Sequence, residues 1–235
     1  SFELEKLIDF GEVKLLFAGK LENWDEQSKG VKNIPVISFP HYDNHSVINN
    51  SDKWEDLLKN NEPQKEDYYP ELDDIWTIVF TSGTTGDPKG VVLDYRTIYL
   101  TKIIVESDVN PLGMDRKGNN SFFSYLPLNH IFERVVLEFQ CMRYGGTMSF
   151  VESLESFPKN LADVQPTTFA GVPRIYNKFK DKILEKMPQK RLNFLLSVPI
   201  ISSLIKKKIR KSLGWSNANA IVSGAAFLPQ ELIEW

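Results

Sequence analysis

The strongest constraint on what this chain can fold into is a rhythm. Short runs rich in β-branched and aromatic residues alternate with helical patterns almost from end to end. Strands separated by helices read as βα units, in which helices cover both faces of a parallel sheet. The expected class is therefore α/β, a layered and largely parallel sheet with helices on both faces. Candidate strands are residues 13–18 (VKLLFA), 35–39 (PVISF), 91–93, 121–126 (SFFSYL), 147–151, 167–171 and 220–222. Asp52 is placed to cap a helix containing Trp54, Leu57 and Leu58, and Asp94 to cap one reaching Val105. Residues 130–144 are apolar nearly all round and run into Gly145, which predicts a helix buried between layers and ended by glycine. Pro173 opens a further helix towards Met187.

With 235 residues and 42% hydrophobic content the chain can bury a sizeable core, and we expect residues 1–235 to form one α/β unit. The acidic, proline-punctuated stretch 61–74 looks like a linker but not a domain boundary. A net charge of −3 provides no basic field for a phosphodiester backbone, so nucleic acid is a poor partner and small molecules are better ones. Cys141 is the only cysteine, and His41, His45 and His130 are scattered, which argues against a structural zinc site. No signal-peptide pattern or run of about 20 apolar residues opens the chain, so a cytoplasmic protein is expected, with any metal being oxygen-bound magnesium.

The most informative segment is residues 75–90, IWTIVFTSGTTGDPKG, in which a buried strand runs into a loop of small and hydroxyl side chains. Gly83, Gly86 and Gly90 would let backbone N–H groups approach a polyphosphate, Ser82, Thr84 and Thr85 add hydroxyl donors, and Lys89 adds a positive charge. The common P-loop needs its lysine directly after the second glycine, whereas Asp87 and Pro88 intervene here. GVVL then reads as a strand, so the loop should join two strands rather than lean on a helix dipole.

The string TSGTTGDPKG resembles the signature phosphate loop of the adenylate-forming (AMP-binding) superfamily, which includes acyl-CoA synthetases, luciferases and nonribosomal adenylation domains. Three further segments spread the resemblance over most of the chain and point to the long-chain fatty acid-CoA ligase subgroup. They are residues 124–135 (SYLPLNHIFERV), 166–179 (PTTFAGVPRIYNKF) and 221–229 (IVSGAAFLP), the last similar to the start of the adenine-binding motif. The resemblance implies that Thr81, Ser82, Gly83, Thr84, Thr85, Gly86 and Lys89 hold ATP, with Thr81 or Thr84 facing magnesium. It implies that Gly224, Ala225 and Ala226 leave a flat slot for adenine, and that His130 lies beside the acyl carboxyl. His130, Lys89 and Thr84 are the residues expected to take part in catalysis. By itself such a histidine more often caps a helix or packs, and Glu133 with Arg134 reads as a structural ion pair.

The implied reaction activates a long-chain fatty acid with ATP to an acyl-adenylate, which coenzyme A then converts to a thioester. The resemblance also implies that the chain is an internal piece of the large AMP-binding domain. The family's Y-G-x-T-E string, ribose-binding aspartate, hinge and small C-terminal domain with its lysine are expected to lie outside it. The piece alone should then make no acyl-CoA. The alternatives are an adenylating ligase for another carboxylic acid and a non-catalytic nucleotide-binding fragment. Residues 192–205 (LNFLLSVPIISSLI), flanked by Lys190, Arg191, Lys206, Lys207, Lys208, Arg210 and Lys211, suggest peripheral membrane contact through 190–211. Two packed helices with a solvated basic end are the plainer reading, and the preferred one.

Overall fold

A computed structural model describes residues 2–40, 43, 45–81 and 89–235. The backbone divides into two compact units, Ser1–Leu93 and Asp94–Trp235. In the first, α1 (Phe2–Phe10) leads to β1 (Leu16–Ala18), the one-turn α2 (Trp24–Gln27), a 3-10 turn, β2 (Val36–Ser38), β3 (Asp52–Lys53), α3 (Trp54–Asn60), β4 (Ile75–Thr81) and β5 (Lys89–Asp94). Strands β1, β2 and β3 pair in parallel, with Leu16 opposite Val36 and Ile37 opposite Asp52. Trp24 fills the core beside Ala18 and Val36, as a large ring must where strands of three residues supply little apolar area. Asp52 does not cap α3: it belongs to β3, and Lys53 takes the N-cap position without a side-chain hydrogen bond. Pairing with Ile37 holds Asp52 in the strand, one residue too early to cap.

The second unit is built on one four-stranded sheet. It runs α4 (Tyr95–Glu106), β6 (Ser121–Ser124), a π-helical segment (Glu133–Glu138) continuing into α5 (Phe139–Tyr144), β7 (Thr147–Phe150), α6 (Phe157–Val164) and β8 (Thr168–Gly171). Then follow α7 (Pro173–Lys186), α8 (Gln189–Ser197), α9 (Pro199–Ser212), β9 (Ala220–Ser223) and α10 (Gln230–Glu234). The strand order is β7-β6-β8-β9, and every pairing is parallel. Asp94 caps α4 as expected, its carboxylate accepting from the Thr97 N–H at 3.1 Å. Gly145 ends α5 at φ 72°, a conformation that costs glycine nothing.

Alternation along the strands sorts the core into two layers. Phe122 and Ala170 face Val105, Met114 and Leu137, so α4 and the π/α5 helix cover that side. Phe123 and Phe169 face Phe157, Leu161 and Phe179, so α6 and α7 cover the other. Helices on both faces of a parallel sheet are what the rhythm of the sequence implies. The helix before Gly145 is less enclosed than its composition suggests. Leu137 is fully buried, yet Met142 is 66% exposed, because only one side of this helix packs on the sheet.

Candidate active site

The two strands flanking the loop expected to bind phosphate belong to the first unit. β4 ends at Thr81, β5 begins at Lys89, and the two strands pair with each other. The loop therefore joins strand to strand, as its sequence suggests, and Lys89 begins no helix. Ser82, Gly83, Thr84, Thr85 and Gly86, expected to hold ATP, lie outside the described residues, as do Asp87 and Pro88. Thr81 and Lys89 are both exposed, which a hydroxyl and an ammonium group meeting a polyphosphate require. Gly90 is glycine for a packing reason, since a Cβ there would come within 3.0 Å of Ile78 Cγ2 and 3.4 Å of the Phe80 ring.

The second unit gathers the other expected residues at the carboxyl edge of its sheet. Parallel pairing brings the ends of β6, β8 and β9 to one edge, the usual place for ligands in open α/β sheets. His130 closes a turn after β6, donating its N–H to the Pro127 carbonyl at 2.9 Å. Its own carbonyl accepts from the N–H groups of Glu133 and Arg134, and its Nδ1 accepts from the Phe132 N–H at 3.3 Å. His130 is thus a helix cap, the plainer role the sequence allowed. That role also assigns the tautomer: with Nδ1 accepting, Nε2 carries the hydrogen and is left to donate to a carboxylate or phosphate oxygen.

Gly224 meets this turn directly. A Cβ at 224 would stand 2.7 Å from Cε2 of Phe132, so any other residue there would force the ring to shift from the end of β9. Ala225 follows at φ 66°, left-handed backbone that an alanine adopts at a cost of about 1 kcal/mol or more. Ala225 and Ala226 are exposed, so the strand end is a shallow, small-residue surface of the kind a flat ring can lie on.

Glu133 is the residue whose importance the sequence obscures. It is fully buried, and neither carboxylate oxygen completes a hydrogen bond. Burial raises its pKa, while the Ser124 hydroxyl and the backbone N–H groups of Leu126 and Tyr125 act in the opposite direction, favouring the charged form. The expected pairing with Arg134 does not occur, because Arg134 reaches one turn on to Glu138 at 3.2 Å. Adjacent helical residues point to different sides, whereas i and i+4 share one. Beside it, the Phe139 N–H bonds the Arg134 carbonyl, and Gln140 Nε2 donates to the Val135 carbonyl at 3.2 Å. Such π segments are enriched at functional sites. Burial and the nearby Glu133 charge also push the Tyr125 hydroxyl up to about 12, so it stays protonated and donates to the Ala170 carbonyl at 3.3 Å. A hollow of about 590 Å³ is lined by Phe179, Leu192, Trp215 and Leu232.

A four-stranded parallel sheet with helices on both faces places the second unit in the α/β class. The chain belongs to the AMP-binding enzyme family, whose model matches residues 1–235 and so runs unbroken through both units. It is 28% identical to long chain acyl-CoA synthetase 2 of Arabidopsis thaliana over its whole length, spanning 35% of that protein. It is 32% identical to mouse long-chain-fatty-acid–CoA ligase 5, a match covering 67% of this chain and 25% of the relative. Its fold is that of the adenylation–carrier didomain of a carboxylic acid reductase from Segniliparus rugosus, at TM-score 0.72 and 17% identity, covering 99% of this chain and 35% of the other. The chain thus spans about a third of the length of the relatives it matches.

Proposed function

We propose that the protein carrying this chain activates a long-chain fatty acid with ATP and transfers it to coenzyme A. The observation that carries the reading is the loop TSGTTGDPKG, held between paired strands with Lys89 exposed at its exit, in a chain of the AMP-binding enzyme family. The named relatives supply the acid class, both being long-chain acyl-CoA-forming enzymes by name.

The chemistry asks for two anions to be brought together. A carboxylate oxygen attacks the α-phosphorus of ATP, forming the acyl-adenylate as the bond to pyrophosphate breaks. The CoA thiol then attacks the acyl carbon, AMP leaves, and a thioester remains. Lys89 and the hydroxyls of Thr81, Ser82, Thr84 and Thr85 are assigned to the triphosphate, where they offset its charge and that developing on pyrophosphate. Gly224, Ala225 and Ala226 are assigned to the adenine ring, and the Nε2–H of His130 to the acyl carboxyl. Among the described residues no cluster of three His, Cys, Asp or Glu side chains is placed to hold a metal. Magnesium is assigned to the site together with ATP, with the Thr81 or Thr84 hydroxyl facing it. We also take both compact units to be parts of one AMP-binding domain.

The test is product identity. The full-length protein with ATP, CoA and palmitate is expected to yield AMP, pyrophosphate and palmitoyl-CoA, and Lys89→Ala to lower the rate on the order of a hundredfold. ADP as product would point to phosphoryl transfer and overturn the reading. A panel of aryl and amino acids outcompeting palmitate would keep adenylation and move the substrate class.

A further inference from the structure

Glu133 stands at the third position of the helix that His130 caps, from which a glutamate ordinarily reaches back to the N–H of the cap. That N–H already donates to the Pro127 carbonyl at 2.9 Å, so Glu133 is released from the usual capping duty. Its carboxylate turns instead to the end of β6, where the Ser124 hydroxyl and the N–H groups of Tyr125 and Leu126 face it. β6 packs against the π segment that Glu133 begins. The carboxylate is fully buried, and neither oxygen completes a hydrogen bond. Its enclosure is complete within the second unit, so it does not depend on what the full-length protein packs around this chain.

A buried carboxylate in that state costs stability, and native folds keep such groups chiefly where a site needs them. What Glu133 can do is set by what it joins. Residues 124–126 lie at one end of the turn, the helix start lies at the other, and His130 stands between them. With Nδ1 accepting from the Phe132 N–H, the place of His130 Nε2–H follows from how closely the two ends approach. All three groups facing Glu133 are donors. A carboxylate can accept from them together, whereas an amide of the same size cannot, because its NH2 half is itself a donor. Such contacts are often long in a free enzyme and tighten once substrate binds.

We propose that Glu133 is a positioning residue for acyl activation: its carboxylate gathers the donors at the end of β6, draws that strand end to the first helical turn, and so fixes where His130 presents Nε2–H to the acyl carboxyl. The role rests on the reading above, of an enzyme that activates a fatty acid with ATP. The experiment uses the full-length protein and the palmitate-dependent exchange of labelled pyrophosphate into ATP, which reads acyl-adenylate formation alone. Glu133→Gln is expected to raise the KM for palmitate and lower kcat/KM by about tenfold to a hundredfold, with the KM for ATP unchanged. It should do so in a protein that melts no lower than wild type. A merely structural loss would lower the active fraction and leave both KM values alone. Because Glu133 acts through His130, adding Glu133→Gln to His130→Ala should cost little beyond His130→Ala alone. Ser124→Ala, which removes one of the three donors, should shift the palmitate KM in the same direction by a smaller factor. The tie itself is read without activity, as faster amide hydrogen exchange over residues 124–128 in Glu133→Gln. Unchanged exchange there, full additivity with His130→Ala, or a Gln variant that matches an active wild type overturns the positioning role and leaves the fatty-acid reading standing. A wild type with no palmitate-dependent exchange overturns that reading, and the role in catalysis with it.

Discussion

The two faces of the β7-β6-β8-β9 sheet are built to different ends. One is an aromatic stack: Phe123 meets Phe157 edge-on at 5.5 Å, Tyr125 stacks on Phe169 at 6.3 Å, and Phe179 meets Trp215 edge-on at 5.5 Å. The other is aliphatic around Phe122, and it carries the buried carboxylate of Glu133, the buried amide of Gln140 and a π-helical turn. Aromatic rings packed edge-on or offset add stability beyond the area they bury. A buried carboxylate without a completed hydrogen bond subtracts from it. The face that holds the fold and the face that shapes the His130 turn are therefore separate layers, and the second gives up stability that the first supplies. That is how strained sites persist in folded domains.

Substitutions can sharpen or break this contrast. The largest effect should come from Phe123→Ala, a fully buried ring in the aromatic layer. It is expected to cost about 3–5 kcal/mol in a denaturant titration, and a loss below about 1 kcal/mol would mean the layer is not the stabilising one. Glu133→Gln should move the other way at neutral pH, raising stability by about 1–2 kcal/mol in the same titration. The sign follows from the fold raising this carboxyl above its ordinary value of 4.5. The folded state holds the proton more tightly than the unfolded chain, so wild type is favoured below the unfolded pKa and loses ground as pH rises towards the folded one. The advantage of the Gln variant should accordingly vanish as pH falls below 4.5, where both forms are neutral. A Gln variant that is less stable at pH 7 would reverse the contrast. The smallest effect is that of Ala225→Gly, which relieves left-handed strain but gives the unfolded chain more freedom. A gain of about 0.5–1 kcal/mol is expected, read as a rise in melting temperature.

Much of the fold was legible because its signals are local. Asp94, Gly145 and Pro173 each sit where a cap, a stop and a helix start need that residue type, and each plays that part. α6 is not evident from the sequence: it has only eight residues, and Ser156 at its N-cap makes no side-chain cap bond. β3 is two residues long and held by pairing with β2, so no periodicity announces it. The π segment leaves no pattern in side-chain chemistry either, being a matter of which carbonyl each N–H reaches. In the candidate site His130 was legible through its motif, but its capping bond was not. Glu133 invited pairing with its neighbour Arg134, since adjacency in sequence says nothing about which way two helical side chains point.

Taken alone, the sequence settled the α/β rhythm and, through the string TSGTTGDPKG, the family. These are encoded by residue type at short, fixed spacings, which a chain expresses wherever it folds. The tertiary structure decided that Gly224 closes on Phe132, that Glu133 is buried between helix and strand end, and that Met142 is exposed on a helix whose Leu137 is fully buried. Close approach, loss of water and exposure depend on what segments distant in sequence bring to the same place, and no spacing along a single segment carries that information.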